Sequence, residues 1–305
     1  MSNSYTIPAQ QDETCGDASS EATGLEKTGA SHYLKGKVLV VKLGGSTLAH
    51  QKMVISDLIS LQRLGLRPVL VHGGGPSINA MLEALHIPTH FERGLRVTDE
   101  QTLEVVCMVL RGQINEHLVL LAASMGGKAV GLCGTDGNML HAHIADEHLG
   151  FVGEIDMVDP TIVQHLLDQG YLPIIAPLGR GDGCDCLNIN ADQVAAALAQ
   201  ALSAERLVFL SDVEGIRGAD STCIAELSEA DAHRFIEQGV IHGGMIPKVT
   251  SSLRALEAVP CVHIVDGSEP HILLHEFDQH RRCGTMVVRN RGEEGPSIPP
   301  SANAQ

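Results

Sequence analysis

Apolar positions along the chain fall into two alternating patterns. Short runs rich in β-branched residues read as buried strands: 37–43, 68–72, 129–132, 172–176, 206–210, 262–265 and 284–288. Between them, apolar residues recur every three or four positions, as on one face of a helix. This spacing predicts helices over 56–64, 76–85, 190–202, 228–238 and 245–256, another capped by Asp159-Pro160 and stopped by Gly170, and a last one between the final two strands. The longest helix opens at Thr98-x-x-Gln101, a capping box, and carries Leu103, Val106, Cys107, Leu110, Ile114, Leu118 and Leu121 as one stripe. Repeated β–α alternation with apolar strands predicts an α/β fold. Helices should cover both faces of a mostly parallel central sheet, a three-layer αβα sandwich.

The flanks differ. Residues 1–36 and 290–305 are rich in small and polar residues and read as a flexible arm and tail, leaving a folded part of about 37–289. At 305 residues the chain can bury one large core or two lobes. With no Trp and 3% aromatics, that core must be aliphatic. A formal net charge of −16 argues against nucleic acid or an anionic membrane as the main partner. The longest apolar run, 194–202, is too short to span a bilayer. The N-terminus lacks the basic and apolar regions of a secretory signal, so the expected compartment is the cytoplasm.

Metal-binding patterns are weak. Of eight cysteines, Cys107, Cys133 and Cys261 lie in apolar periodic segments, where a thiol acts as a small hydrophobe. Cys184-Asp-Cys186 has no second pair to complete a site, and His141-x-His143 stands alone. His275 and His280 are five positions apart and do not share a helix face.

The candidate chemistry lies in glycine turns beside cations. Lys42 precedes Leu43-Gly44-Gly45, and Lys248 follows Gly243-Gly244-Met245-Ile246-Pro247. His72-Gly-Gly-Gly-Pro76 follows an apolar strand. Glycine-rich turns that open helices offer free N–H groups and a positive dipole end to phosphate or carboxylate. Gly44-Gly45, Gly73–Gly75 and Asp212 each follow a predicted strand directly, so they should line one crevice at the strands' carboxyl ends. There is no Walker A sequence.

Six segments taken in order add a family resemblance: Lys42-Leu-Gly-Gly45, His72-Gly-Gly-Gly75, Gly94-Leu-Arg-Val-Thr98, Asn188-Ile-Asn-Ala-Asp192, Ser211-Asp-Val-Glu-Gly215 and Gly244-Met-Ile-Pro-Lys248. Over 37–288 the chain resembles N-acetylglutamate kinases of the amino acid kinase superfamily. The resemblance implies the amino-acid kinase fold, with an N-lobe over 37–185 for acetylglutamate binding and dimerisation and a C-lobe over 186–289 for ATP. It implies phosphorylation of the γ-carboxylate of N-acetyl-L-glutamate by ATP with Mg²⁺, the second step of arginine biosynthesis. Such an acceptor is already ionised at neutral pH, so alignment and charge neutralisation matter more than a base.

The resemblance further implies that Lys42 and Lys248 stabilise the transferring phosphoryl, that Asp192 holds both ammonium groups, and that Gly45 and Gly74 offer backbone N–H groups to it. Arg96 would clamp the substrate α-carboxylate, Asn188 would bond the same portion, and Gly74 and Gly75 would meet the other carboxylate. Asn190 either joins them or caps the following helix. Gly44, Gly45, Asp212, Val213, Gly215, Ile216, Gly244, Met245 and Lys248 would form the nucleotide side, with the metal held by phosphates and water.

Two positions depart from the family pattern. Thr135 stands in Gly134-Thr-Asp-Gly137 where many members have Lys, away from the catalytic motifs. Glu276 matches a glutamate that frames an arginine effector in regulated members. Arg282 stands where those members have glycine, and Arg281 and Arg282 would repel a guanidinium. The expectation is a homodimer, rather than a hexamer, with weak or no arginine inhibition. The competing readings are a kinase for an α-aminoadipate derivative, a non-catalytic amino-acid sensor, and an enzyme whose arm binds a partner.

Overall fold

A computed structural model describes residues 34–289 except 184, 219, 221 and 278–282. The tail at 290–305 and most of the arm lie outside the described residues, as do Arg281 and Arg282. In chain order the strands are β1 (Val38–Leu43), β2 (Arg67–His72), β3 (Phe91–Glu92), β4 (Leu95–Arg96), β5 (Ala129–Cys133), β6 (Leu140–Ile144), β7 (Val152–Val158), β8 (Leu172–Ala176), β9 (Leu178–Arg180), β10 (Cys186–Ile189), β11 (Arg206–Ser211), β12 (Glu226–Ser228), β13 (Val262–Asp266) and β14 (Thr285–Val288). The helices are α1 (Gln51–Arg63), α2 (Gly75–Ala84), α3 (Glu100–Ser124), α4 (Thr161–Asp168), α5 (Ala191–Ala201), α6 (Glu229–Glu237), α7 (Met245–Ala255) and a single turn, α8 (Ile272–His275).

Eight strands form one sheet in the order β12-β14-β13-β11-β1-β2-β8-β5, parallel except where β13 meets β14. Both faces are covered. Leu39, Val41, Leu43, Leu70, Val208 and Leu210 join one core with α1 and α3, while Val40, Val69, Val71, Leu207 and Phe209 join a second with α5 and α7. Burial on both faces is why these strands read as continuous apolar runs.

Four short strands form a second sheet unanticipated by the sequence pattern. In it β10 pairs with β7 and β9, and β6 with β7 and β9, so it closes on itself. Its strand β10 carries Asn188 toward the end of the main sheet.

Two local expectations are corrected. The capping residue of α3 is Asp99, whose carboxylate accepts from the Thr102 N–H at 2.8 Å. Thr98 is fully buried instead, and its hydroxyl donates to the Arg96 carbonyl at 2.8 Å. Helix α1 starts at Gln51, five residues early, because a 3₁₀ turn at Ser46–His50 leads into it. Among the described residues one element, α3, is long and apolar enough to cross a membrane by length and composition. It is a core helix: Val105, Val106, Val109, Leu110, Ile114 and Leu118 are buried against the sheet, and so is the amide of Asn115.

Candidate active site

The cleft follows from sheet register. Strands β11, β1 and β2 are parallel neighbours, with Leu43 level with His72 on one side and Leu210 on the other. The turns after them therefore start at one height, as a parallel sheet predicts. The first two glycine turns touch: a Cβ on Gly45 would lie 3.0 Å from the Gly75 nitrogen and 2.8 Å from Pro76 Cδ. A Cβ on Gly74 would lie 2.6 Å from both Leu110 and Ile114 of α3. These positions exclude side chains because backbone and helix press on them. Helix α2 begins at Gly75, so N–H groups at this end have no intrahelical partner.

Lys42 sits on the face of β1 that carries Val40, and so meets α5. Its ammonium group is 2.8 Å from Asp192 Oδ1. Lys248, in the first turn of α7, donates to Asp192 Oδ2 at 3.2 Å. Asp192 is in the first turn of α5, which Asn190 caps: the Asn190 side chain accepts from the N–H groups of Asp192 at 2.8 Å and Gln193 at 3.4 Å. Lys42 and Asp192 are 6% and 5% exposed, so the pair is shielded from water. Burial pulls Lys42 below the ordinary lysine range, Asp192 works against that, and Lys248 adds to the lowering. Burial pushes Asp192 up, but Lys42 and then Lys248 outweigh it and hold the carboxyl below its usual range. Two ammonium groups against one carboxylate leave one positive charge uncompensated here.

A cavity of about 230 Å³ opens beside this triad. Lys42, Gly45, Gly74, Gly75, Arg96, Asn188 and Asp192 all line it. The Arg96 guanidinium donates to Thr89 Oγ1, to Asn79 Oδ1 at 2.5 Å and weakly to the Gly75 carbonyl, and it stacks 4.6 Å from the Phe91 ring centre. All three acceptors are neutral oxygens. No ion pair involves Arg96 among the described residues, although it is 8% exposed and burial lowers its pKa. Asn188 donates to Thr98 Oγ1 at 3.1 Å. Phe91, Thr89 and Asn79 were not singled out by sequence, and Thr98 was read only as a helix cap and as part of the Gly94–Thr98 motif, since their roles arise from contacts with Arg96 and Asn188.

Of the expected nucleotide-side residues Gly45 lines this cavity, and the others lie outside its lining. Asp212, Val213 and Gly215 form the turn after β11, where Asp212 is exposed. A Cβ on Gly215 would lie 2.7 Å from Thr285 Oγ1. Ile216 is 1% exposed, packs in the second core and gives its N–H to Thr285 Oγ1 at 2.8 Å, leaving it no free donor. Gly244 and Met245 open α7, one turn before Lys248. Gly44 accepts from the Thr47 hydroxyl at 3.0 Å. Asp192 is the sole carboxylate in the cavity's described lining, and each of its oxygens faces an ammonium group. The lining therefore offers no free anionic ligand for a metal.

Residues 37–266 match the model of the amino acid kinase family. The chain belongs to that family. Among its curated relatives, the acetylglutamate kinase of Heliobacterium modesticaldum is 45% identical over 87% of this chain and 99% of its own length. The chloroplastic acetylglutamate kinase of Arabidopsis thaliana is 46% identical over 83% of this chain and 76% of its own. An N-acetylglutamate synthase from Neisseria gonorrhoeae, complexed with coenzyme A and N-acetyl-glutamate, superposes with a TM-score of 0.76 at 27% identity. That match covers 90% of this chain, which spans 63% of the longer synthase. The carbamate kinase of Giardia lamblia bound to AMP-PNP, at 16% identity and a TM-score of 0.61, shares the fold. Its match covers 84% of this chain and 99% of its own. For an amino acid kinase, the closeness of Lys42, Asp192, Lys248 and the two glycine turns brings the candidate chemistry of four separate segments together at one cleft.

Proposed function

We propose that the chain transfers the γ-phosphoryl group of ATP to the γ-carboxylate of N-acetyl-L-glutamate, the second step of arginine biosynthesis. One observation carries this reading: the cleft holds a buried guanidinium, Arg96, with only neutral partners, beside a lysine–aspartate–lysine triad with one positive charge to spare. A dianionic acceptor satisfies both features. The names of the curated relatives supply the substrate.

In this reading Arg96 forks onto the α-carboxylate, the planar anion its geometry suits. Asn188, aligned by Thr98, bonds the amino-acid portion. The γ-carboxylate lies against Gly74 and Gly75 and, being ionised, needs no proton removed. Lys42 from the acceptor side and Lys248 from the nucleotide side neutralise charge on the passing phosphoryl group, with N–H groups of Gly45 and Gly74. Asp192 fixes the two ammonium groups and opposes the lowering of the Lys42 pKa by burial. The nucleotide lies over Asp212–Gly215 and the start of α7. Mg²⁺ comes with its phosphates, because the cavity lining has no free carboxylate for it.

The wider reading is a homodimer of two-lobed chains in the cytoplasm, weakly inhibited by arginine or not at all. Free thiols at Cys107, Cys133 and Cys186 suit a reducing compartment. The Glu276 carboxylate is already engaged: Arg206 lies 3.4 Å away and His263 2.6 Å away. Burial opposes protonation of His263, but Cys261 and Glu276 hold its pKa up to about 9. An incoming guanidinium would have to displace two cations.

The test is ATP-dependent acyl-phosphate formation trapped with hydroxylamine, offering N-acetyl-L-glutamate, glutamate, N-acetyl-aminoadipate and carbamate in parallel, with and without arginine. Turnover with N-acetyl-L-glutamate alone is the expected result. A folded, ATP-binding protein inactive on every acceptor would favour a non-catalytic sensor.

A further inference from the structure

The roles proposed for the cleft leave a nearby thiol cluster unexplained. Cys107 of α3 and Cys186 of β10 approach to 3.7 Å between sulfurs, although 79 positions apart in sequence. Both are half-buried and free. Each sits on an element that builds the cleft. Cys186 is two residues before Asn188, on the strand that leads to Asn190 and Asp192. Cys107 is three residues before Leu110, which lines the cleft and abuts Gly74. Arg111, one turn along α3, donates to Cys133 Sγ at 2.7 Å and to Asp136 at 2.9 Å, placing a guanidinium beside the cluster.

We infer that Cys107 and Cys186 form a reversible dithiol–disulfide site through which a low-molecular-weight disulfide, such as oxidised glutathione, weakens acceptor binding. The inference rests on reading the cleft as the acceptor site. The chemistry divides between the two thiols. The hydrogen bond shared with Cys186, against the opposing effect of burial, and the nearby Arg111 charge hold Cys107 below the ordinary thiol range. Cys107 is thus the attacking thiolate. It bonds to one sulfur of the small disulfide and expels the other as a thiolate, which takes up a proton. Cys186 then loses its proton and attacks Cys107 Sγ, expelling the second small thiol. Two protein thiols are oxidised and one small disulfide is reduced to two thiols. Closing 3.7 Å to a bond length of about 2.05 Å draws β10 and α3 together. The pull moves Asn188 and the Gly74 turn against each other.

The experiment uses the full chain, reduced, desalted and exposed to oxidised glutathione. Non-reducing peptide mapping with cleavage at Asp185 reads Cys186 apart from Cys184. Rates are measured at saturating ATP with varied N-acetyl-L-glutamate. The expected result is a mapped Cys107–Cys186 bond and a KM for the acceptor raised about fivefold or more, reversed by dithiothreitol. Cys107→Ser and Cys186→Ser should each lose the response, and Cys133→Ser should keep it. Absence of that bond, or a bond with a smaller change in KM, overturns the inference. Reduced protein inactive on the acceptor would instead count against the assigned function, which the mapping does not depend on.

Discussion

Asp192 sets the charge of the cleft through its neighbours. Burial and Lys248 both push Lys42 toward losing its proton, and Asp192 opposes them. Asp192→Asn should therefore lower the pKa of Lys42 further. The alkaline limb of the kcat/KM profile should move down by about one unit or more, with kcat reduced at neutral pH and circular dichroism unchanged. An unmoved limb would remove Asp192 from this role. Arg96→Lys tests the acceptor side. A point charge cannot reproduce the fork, so the acceptor KM should rise about tenfold or more while the KM for ATP stays close to wild type. His72 gives a pH prediction of stability. Burial lowers its pKa to about 4 from 6.5, although its bond to the Gly73 carbonyl acts in the opposite direction. The unfolded chain binds this proton below 6.5 and the folded chain only near 4, so stability falls as pH drops through that window. The loss is on the order of 3 kcal/mol. Urea unfolding at pH 7 and pH 4.5 should show a smaller difference in His72→Gln than in wild type. Sequence motifs made Lys42, Asp192, Lys248 and Arg96 legible because charged residues beside glycine turns stand out. Asn79 and Thr89 were not legible, nor was the contact of Thr98 with Asn188, because these roles exist only once the fold brings the residues to Arg96 and Asn188.

Helix α3 marks where periodicity succeeded and where it failed. Its apolar stripe predicted a long buried helix correctly. The face it named holds, with Val106, Leu110, Ile114 and Leu118 buried, but Met108–Asn115 is π-helical, which a strict 3.6 repeat does not anticipate. The buried pairs Val105–Val106, Val109–Leu110 and Ile114–Asn115 advance by four and then by five. The wider turn keeps Asn115 facing the sheet, where a regular helix would rotate it away. There Asn115 Nδ2 donates to the Ile174 carbonyl at 2.9 Å and the Leu132 carbonyl at 3.3 Å, and lies 3.1 Å from His72 Nε2. The amide ties α3 to β8, β5 and the root of the Gly73–Gly75 turn. Asn115→Leu removes the donor while keeping the volume, leaving buried carbonyls unsatisfied. It should cost about 2 kcal/mol in urea unfolding. A loss below about 0.5 kcal/mol would mean water or relaxation replaces the amide. The second sheet escaped the sequence pattern for another reason. Strands such as Leu140–Ile144 and Cys186–Ile189 are short and mix polar with apolar positions, since they are buried unevenly. Doubly buried strands of the main sheet are apolar apart from Lys42 in β1 and the end residues Arg206 and Ser211 of β11.

At the scale of the molecule, alternation of strand and helix made the parallel sheet legible, but assembly is a property of surfaces and leaves little periodic trace. Strand β5 ends the main sheet, with one edge unpaired by any described strand, and α3 lies against it. On the outer side of α3, Met108 and Leu120 are each 59% exposed, with Gly112 and Ala123 also exposed. Small residues beside large apolar ones, Gly112 between Met108 and Leu120 and Ala123 just after Leu120, allow another helix to approach closely. An edge strand beside an apolar helix is a surface that proteins cover. At −16 per chain, two copies repel at long range, so contact between them must be apolar and local. The double change Met108→Glu and Leu120→Glu places like charges on both sides of a two-fold interface. In an isolated chain it should alter stability by about 0.5 kcal/mol or less per site, because both side chains already face solvent. Light scattering should report a dimer for wild type and a monomer for the variant. Catalysis should survive per chain, since Lys42, Arg96, Asn188, Asp192 and Lys248 come from one chain. A variant that keeps the dimer mass would move the interface away from α3. A wild-type hexamer would require a further contact beyond this face.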